Sequence, residues 1–511
     1  MDIGSLIPRH ARYRRNHTGV ICGDERLTWE QFHARVNRCA NALHGLGVNK
    51  GDRVATVLPN RLELLDVYWA CARLGAILVP LSPLLEAPGL RTLLSDSAPA
   101  VVVTNPKLEP MLAEVRQALG AQAWRHTVVV DAPVAGGLRY SELFSAASAS
   151  EPPPSGIQGP ELYNICYSSG TTGLPKGITH SHDVRAHYGT LFGAAYRMTP
   201  ESVVYHSGSI VFNGAFLTLM PAFFLGGTYV LDHAFSPERF LQRVQREKVT
   251  HVMLVPSQLI AILGAPGCSA EALSSLEMLC TVGAPLPLPY KEQVHALLPG
   301  RVYELYGLTE GFVTILDKHD YGRKTASVGS CPQFSELRIV DDQGRELPPG
   351  EPGEVVGRSP ILMPGYYNKP EATAQAIRDG WLYSGDLGYV DEDGYLYLVD
   401  RKKDLIITGG VNVYPRDIED VLHQHPAILE AAVFGANDEK WGETPVAAVV
   451  LRSGQPRDRD GIQAWVNARV GAKYQRVTDV LFLDALPRNV AGKTLKRELR
   501  ADYEAARRPK A

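Results

Sequence analysis

Cysteine is scarce in this chain and never paired for a metal. The seven residues, Cys22, Cys39, Cys71, Cys166, Cys268, Cys280 and Cys331, stand singly, with no C-x-x-C among them. This argues against a structural zinc site and predicts reduced thiols in apolar surroundings, as in a cytoplasmic protein. A basic excess is also missing. Lys and Arg number 52 against 55 Asp and Glu, a formal charge of -3, so no electrostatic argument for nucleic acid exists. Arg9, Arg12, Arg14 and Arg15 are followed by no apolar run, unlike a secretory signal, and the end at Ala511 does not spell a Ser-Lys-Leu address. Uninterrupted hydrophobic spans are lacking as well. Ser207 to Leu231 contains no Asp, Glu, Lys or Arg and is long enough to cross a bilayer. Asn213, Gly214, Pro221, Gly226 and Gly227 interrupt it, however, so a buried helix followed by a buried strand at Thr228–Leu231 is expected.

The familiar nucleotide motifs fail too. Counting a P-loop from Gly170 puts Pro175 at the second Gly and Gly177 at the Ser/Thr position. Gly492-Lys493-Thr494 would need its first Gly at Pro487. Gly45-Leu-Gly47 has Lys50 at the third Gly position of a dinucleotide fingerprint and closes a helix instead of opening one.

What is present is a long chain of alternating elements. Its 511 residues, 45% hydrophobic and 21% charged, allow several domains with large cores. Thr28 with Gln31 forms a capping-box pattern, and Phe32, Val36, Cys39 and Leu43 follow at helical spacing. A strand before Pro59, a helix over Leu62–Leu74 and a strand at Ala76–Pro80 continue the alternation. Strands at Ala98–Thr104 and Thr127–Asp131, a helix over Phe235–Glu247 and a strand at Val249–Val255 extend it. The pattern predicts an α/β fold with mixed, largely parallel sheets and helices. After Gly329 the texture changes to short strands, at Glu336–Val340, Gly353–Arg358 and Gly394–Val399, with Gly, Pro and Asp turns. From Arg401 a last block reads as a small α+β domain, with a helix from Pro415 and strands from Ile428, Val446 and Asp479.

One stretch concentrates the chemistry. Tyr167-Ser-Ser-Gly-Thr-Thr-Gly-Leu-Pro-Lys-Gly177 follows a short apolar run, Leu162–Cys166. Gly170, Gly173 and Gly177 let the backbone turn its N–H groups inward, which makes an anion-binding concavity. Ser168, Ser169, Thr171 and Thr172 add hydroxyl donors and Lys176 a point charge. The set reads as a grip for a polyphosphate.

That string resembles the phosphate loop of the adenylate-forming superfamily: acyl-CoA synthetases, coumarate-CoA ligases, luciferases and peptide-synthetase adenylation domains. The chain is most similar to a bacterial acyl- or aryl-CoA ligase. More strings match in order from this loop to the C-terminus, while the N-terminal third resembles the family by texture alone. The resemblance implies a large adenylation domain, residues 1–400, with a β-rich subdomain at about 329–400, and a small mobile domain over 401–511. It implies that Gly283-Ala-Pro285, with Ala284, and Glu304-Leu-Tyr-Gly-Leu-Thr-Glu310 bind ATP, through Glu304, Leu305, Tyr306, Gly307 and Thr309. Tyr306 would stack on adenine, Thr309 would lie by the α-phosphate or the acid carboxylate, and Glu310 would hold Mg²⁺. Asp386, in Tyr383-Ser-Gly-Asp-Leu-Gly388, and Arg401 would bind the ribose, and Lys403 would be the hinge. Gly409 and Gly410 would line a tunnel for the pantetheine arm of CoA. Lys493 would be the catalytic lysine, bridging two anions whose repulsion is on the order of several kcal/mol, with Lys496 and Arg497 beside it solvated.

One departure stands out. Where many relatives have a Pro-x-Phe-His string beside the acyl pocket, this chain has Phe212-Asn213. Val211, Phe212, Asn213, Phe216 and Phe312 are the expected pocket residues. The implied activity is ATP- and Mg²⁺-dependent ligation of a fatty or aryl acid to CoA through an acyl-AMP. The alternative is transfer of the activated acid to a carrier protein, an amine or another nucleophile. A homodimer is left open.

Overall fold

Thr28 starts the first long helix as its side chain dictates. Its Oγ1 accepts from the Gln31 amide at 3.2 Å, while Gln31 Oε1 accepts from the Thr28 amide at 2.8 Å, closing the capping box ahead of Trp29–Gly45. In the computed structural model, the described residues are 1–120, 122–131, 137–167, 176–401, 404–409, 411–438, 440–489 and 494–507. The second helix runs Leu62–Leu74 and stops at Gly75, whose φ of 69° is the left-handed C-cap that glycine suits. It connects the strands Arg53–Val57 and Ile77–Leu81, which pair in parallel with each other, and is buried on nearly every side.

The described residues form four sheets. A seven-stranded sheet gathers the strands from Arg53 to Ser181, and an eight-stranded sheet combines Thr18–Thr28 with strands from Val203 to Leu316. Both are parallel through their centres, as the alternation predicts. Their edges carry antiparallel pairs, which makes the sheets mixed, as expected. Gly177–Ser181 pairs antiparallel with Leu162–Tyr167, and Phe312–Leu316 pairs antiparallel with Val302–Leu308. The physical reason is connection length. Antiparallel neighbours close through short turns, whereas parallel ones need a crossover. The two stretches singled out for nucleotide chemistry therefore join antiparallel strands.

The charge-free stretch forms the helix Asn213–Leu225 and the strand Thr228–Leu231. Ala215 to Phe223 are all buried, so the absence of charge reflects a helix surrounded by protein. No helix among the described residues is long and apolar enough to cross a membrane. Five of the cysteines are buried and two, Cys268 and Cys331, half-buried, all as free thiols.

The third sheet is antiparallel and takes its strands from Glu336 to Arg401. The fourth, from Ile406 onward, carries the long hairpin Ile428–Asp438 with Gly442–Leu451 and the parallel strand Asp479–Leu483. The first three sheets meet at one turn. Gly311 stands against Ile361, the Met363 amide donates to the Glu310 carbonyl at 2.8 Å, and Tyr366 bridges to Ile178 of the seven-stranded sheet. Phe312, next in the chain, fills the core of the third sheet, pressed on Gly357.

Candidate active site

The hairpin of Val302–Leu308 and Phe312–Leu316 presents its candidate side chains at and beside its turn. Tyr306 reaches across to the third sheet, where its hydroxyl donates to Asp386 Oδ2 at 2.7 Å. Asp386 is buried, and it faces Arg401 in the register of the strands Trp381–Val390 and Leu396–Arg401. The backbone thus sets Tyr306, Asp386 and Arg401 side by side. Gly311 has φ of 106°, and a Cβ there would stand 1.9 Å from the Ile361 carbonyl oxygen. Only glycine fits, so the residue after Glu310 fixes where Glu310 points.

Lys176 emerges from the phosphate stretch onto the same turn. Its Nζ stands 4.7 Å from the centre of the Tyr366 ring, and the Tyr366 hydroxyl donates to Glu310 Oε1 at 2.9 Å. Tyr366 is positioned by strand pairing: the amide of Tyr367 donates to the Gly177 carbonyl at 2.7 Å, and Thr179 holds the Gly365 carbonyl through both its amide and its hydroxyl. Burial and the Glu310 carboxylate push the Tyr366 hydroxyl well above its ordinary pKa, so it stays a donor. Ser168, Ser169, Gly170, Thr171, Thr172 and Gly173 lie outside the described residues.

Gly283, Ala284 and Pro285 are exposed just past the end of the strand Met278–Val282, at the carboxyl edge of the parallel sheet, where open α/β folds bind ligands. Leu305 is core. Gly307 faces the antiparallel partner so closely that a Cβ would meet the Phe312 carbonyl at 2.5 Å. Glu304 is buried in an ion pair with Lys291 at 2.5 Å, and burial raises its carboxyl pKa despite that cation. The structure places it behind the turn, in the packing.

The acyl-pocket candidates divide. Val211 and Phe216 are buried, and Phe212 packs against the same core, whereas Phe312 belongs to the core of the third sheet. Phe216 stacks on Tyr68, with ring centres 5.8 Å apart. Asn213 Nδ2 donates to the Tyr188 hydroxyl at 3.1 Å. Thr309 is reached from this side as well, since His180 Nε2 lies 2.9 Å from its carbonyl oxygen.

In the small domain, Gly409 turns the hairpin of Ile406–Thr408 and Val411–Val413 with φ of 58°, and its amide donates to the Trp441 carbonyl at 2.7 Å. Lys403, Gly410 and Lys493 lie outside the described residues. Arg488 and Thr494 bridge on either side of residues 489–493. Lys496 corrects an expectation. Its side chain is only 19% exposed and pairs with Glu419 Oε1 at 2.7 Å. Burial works against its charge, but Glu419, Asp400 and Asp404 more than offset this and hold the ammonium above its ordinary range. The helix Lys496–Arg507 folds back onto the strand Ile428–Asp438, which brings Lys496 to the helix Pro415–Leu422 instead of to solvent.

Sequence reasoning missed Tyr366, Gly311, His180 and Arg185. Gly365-Tyr-Tyr367 beside Pro364 carried a weak signal, an aromatic pair in a turn. The others depend on distant partners.

A family model described as AMP-binding enzyme matches residues 7–367, and one described as AMP-binding enzyme C-terminal domain matches 417–493. Feruloyl-CoA synthase of an Amycolatopsis species is 35% identical, over 98% of this chain and 99% of that protein. The ATP-bound structure of MatB from Rhodopseudomonas palustris overlays with a TM-score of 0.90 at 29% identity, covering 99% of this chain and 100% of that one. The apo structure of the same protein scores 0.78, at 29% identity with coverage of 99% and 100%. The anthranilate CoA ligase AuaEII, in complex with anthranoyl-AMP, scores 0.91 at 26% identity, over 99% of this chain and 98% of that one. With both domains matched and relatives aligned along nearly the whole length, the chain belongs to the AMP-binding enzyme family.

Proposed function

We propose that this protein is an ATP-dependent carboxylate–CoA ligase. One observation carries the reading. A single hairpin turn joins Tyr306, in contact with Asp386, to Glu310, in contact with Tyr366 below Lys176. Adenine and ribose are neighbours in a nucleoside, as Tyr306 and Asp386 are here. The triphosphate extends from the ribose toward Lys176 and the Glu310 carboxylate.

In the first step an oxygen of the acid attacks the α-phosphorus, the bond to pyrophosphate breaks, and acyl-AMP forms. Thr309 lies beside the reacting carboxylate, and Lys493 bridges it to the α-phosphate, offsetting their repulsion and fixing the line of attack. Glu310 supplies the single carboxylate that suits a magnesium ion held mainly by phosphate oxygens and water. That ion, when bound, neutralises charge on the departing pyrophosphate. In the second step the CoA thiol attacks the acyl carbonyl and AMP leaves. Gly409 and Gly410 line the approach of the pantetheine arm, and rotation near Lys403 exchanges Lys493 for that surface. The better overlay with ATP-bound than with apo MatB supports a small domain standing as it does for the first step.

The test is pyrophosphate release from Mg-ATP over a panel of aliphatic, aryl and amino acids, with and without CoA. The ligase reading expects one class to release pyrophosphate and CoA to convert it to a thioester. Activation without thioester formation points to a carrier-protein thiol or an amine as acceptor. No release with any acid overturns the reading.

A further inference from the structure

Arg185 is a buried cation with no anionic partner among the described residues. It is 0% exposed, and a guanidinium stays protonated throughout the pH range of a folded protein. The other buried lysine and arginine side chains among the described residues have carboxylate partners: Arg243 meets Asp232 at 2.7 Å and Lys291 meets Glu304 at 2.5 Å. Arg185 meets only neutral acceptors. Its Nε donates to Asn164 Oδ1 at 2.9 Å, and Nη2 faces His180 Nδ1 at 3.2 Å and Cys166 Sγ at 3.8 Å. Burial, with Arg185 alongside, holds the His180 imidazole neutral, and burial keeps the Cys166 thiol protonated. Aromatic faces cover the rest, Phe216 at 3.9 Å and Tyr188 at 4.7 Å from the guanidinium carbon. Nη1 has no hydrogen-bond partner among the described residues. An uncompensated buried charge is strongly destabilising, so a fold that keeps one has a counter-ion that arrives from outside.

The position says which one. Arg185 and Tyr188 lie one turn apart on the helix His182–Ala195, which packs on the helix Asn213–Leu225 carrying Asn213 and Phe216. Asn213 is only half-buried as a residue, and its Oδ1, itself buried, also has no hydrogen-bond partner among the described residues. On the other side, His180 connects the guanidinium to the carbonyl of Thr309, beside the place assigned to the reacting carboxylate. The guanidinium is therefore linked to the Thr309 carbonyl through one imidazole ring and two contacts, of 3.2 and 2.9 Å, on the side of the acyl-pocket candidates.

We infer that the acid carries a second carboxylate, which Arg185 Nη1 receives beside the Tyr188 hydroxyl. The substrate is then a dicarboxylic acid with a short spacer, a few methylenes or one aromatic ring, activated at the end near Thr309. This rests on the ligase reading and adds the substrate class to it. The test compares pyrophosphate release for matched pairs: succinate with butyrate, glutarate with pentanoate, and the phthalate isomers with benzoate. At least one diacid is expected to exceed its monoacid partner about 100-fold in kcat/KM, because a site built around a buried polar group rejects the analogue that leaves it unpaired. In Arg185→Met that ratio falls to about 1 or below, and Arg185→Lys, which keeps the charge, retains part of the preference. Should either variant fail to fold, the wild-type ratios decide alone. Monoacids used as well as or better than every paired diacid leave the ligase reading standing and overturn this inference. If no acid of any kind releases pyrophosphate, the ligase reading fails and this inference with it.

Discussion

Tyr366→Phe removes one hydroxyl and keeps the ring. The hydroxyl donates to Glu310 Oε1 at 2.9 Å, and the ring centre lies 4.7 Å from Lys176 Nζ. A hydrogen bond to a charged group contributes about 1.5–3 kcal/mol, and Glu310 is only half-buried, which places this one near 1.5 kcal/mol. That is about tenfold in an equilibrium constant. With Glu310 free to turn, the Mg²⁺ concentration giving half-maximal pyrophosphate release is expected to rise about tenfold at saturating ATP, with the KM for the acid within about twofold of wild type. Tyr366→Leu also removes the face under Lys176, worth about 0.5–1 kcal/mol, so the KM for ATP rises a further few-fold. The assay is a Mg²⁺ titration of pyrophosphate release for the three proteins, with circular dichroism to confirm folding. A Tyr366→Phe enzyme with an unchanged Mg²⁺ midpoint would refute the reasoning that Tyr366 holds Glu310 for a metal.

Gly311→Ala is expected to fold, shown by circular dichroism, yet to lose about 100-fold or more in pyrophosphate release. The new Cβ would lie 1.9 Å from the Ile361 carbonyl oxygen and must displace the turn that carries Glu310. Lys496→Met leaves Glu419, only 17% exposed, without its cation and should lower stability by about 1–3 kcal/mol in urea unfolding; a loss below about 0.5 kcal/mol would mean that the lysine is solvated after all. His206 is buried, and burial lowers its pKa to about 4 from 6.5. The unfolded chain takes up that proton first, so the contribution of His206 to stability is whole above pH 6.5 and declines as pH falls toward 4. At pH 5 the loss is about 2 kcal/mol, and His206→Gln should remove that share from the difference between urea midpoints at pH 7.5 and pH 5.

Local rules made much of this fold legible. The helix Leu62–Leu74 and the strands Thr228–Leu231, Glu336–Val340, Gly353–Arg358 and Asp479–Leu483 stand where apolar runs and turn residues put them. The capping box at Thr28 is intact because its parts lie three residues apart. What stayed hidden depends on partners far along the chain. Lys496 looks like any lysine in a basic loop until Glu419 is beside it. Tyr366 has no visible role until strand pairing sets it under Lys176. Arg185 sits in a helix whose sequence gives no sign that its surroundings hold no carboxylate. Phe312 is one of the expected acyl-pocket residues and lies next but one to Glu310 in the chain. Strand alternation then turned its ring into another core.

The turn at Glu310 belongs to three sheets at once, whereas Arg185, Tyr188, Asn213 and Phe216 hang on the faces of two packed helices. The two halves of the site therefore have unequal freedom to diverge. Shifting the turn means re-registering backbone pairings in separate layers together. Changing the acid means exchanging side chains on helices whose backbones need not move. A lineage with this scaffold can drift from one acid to another by single replacements while its nucleotide chemistry stays fixed.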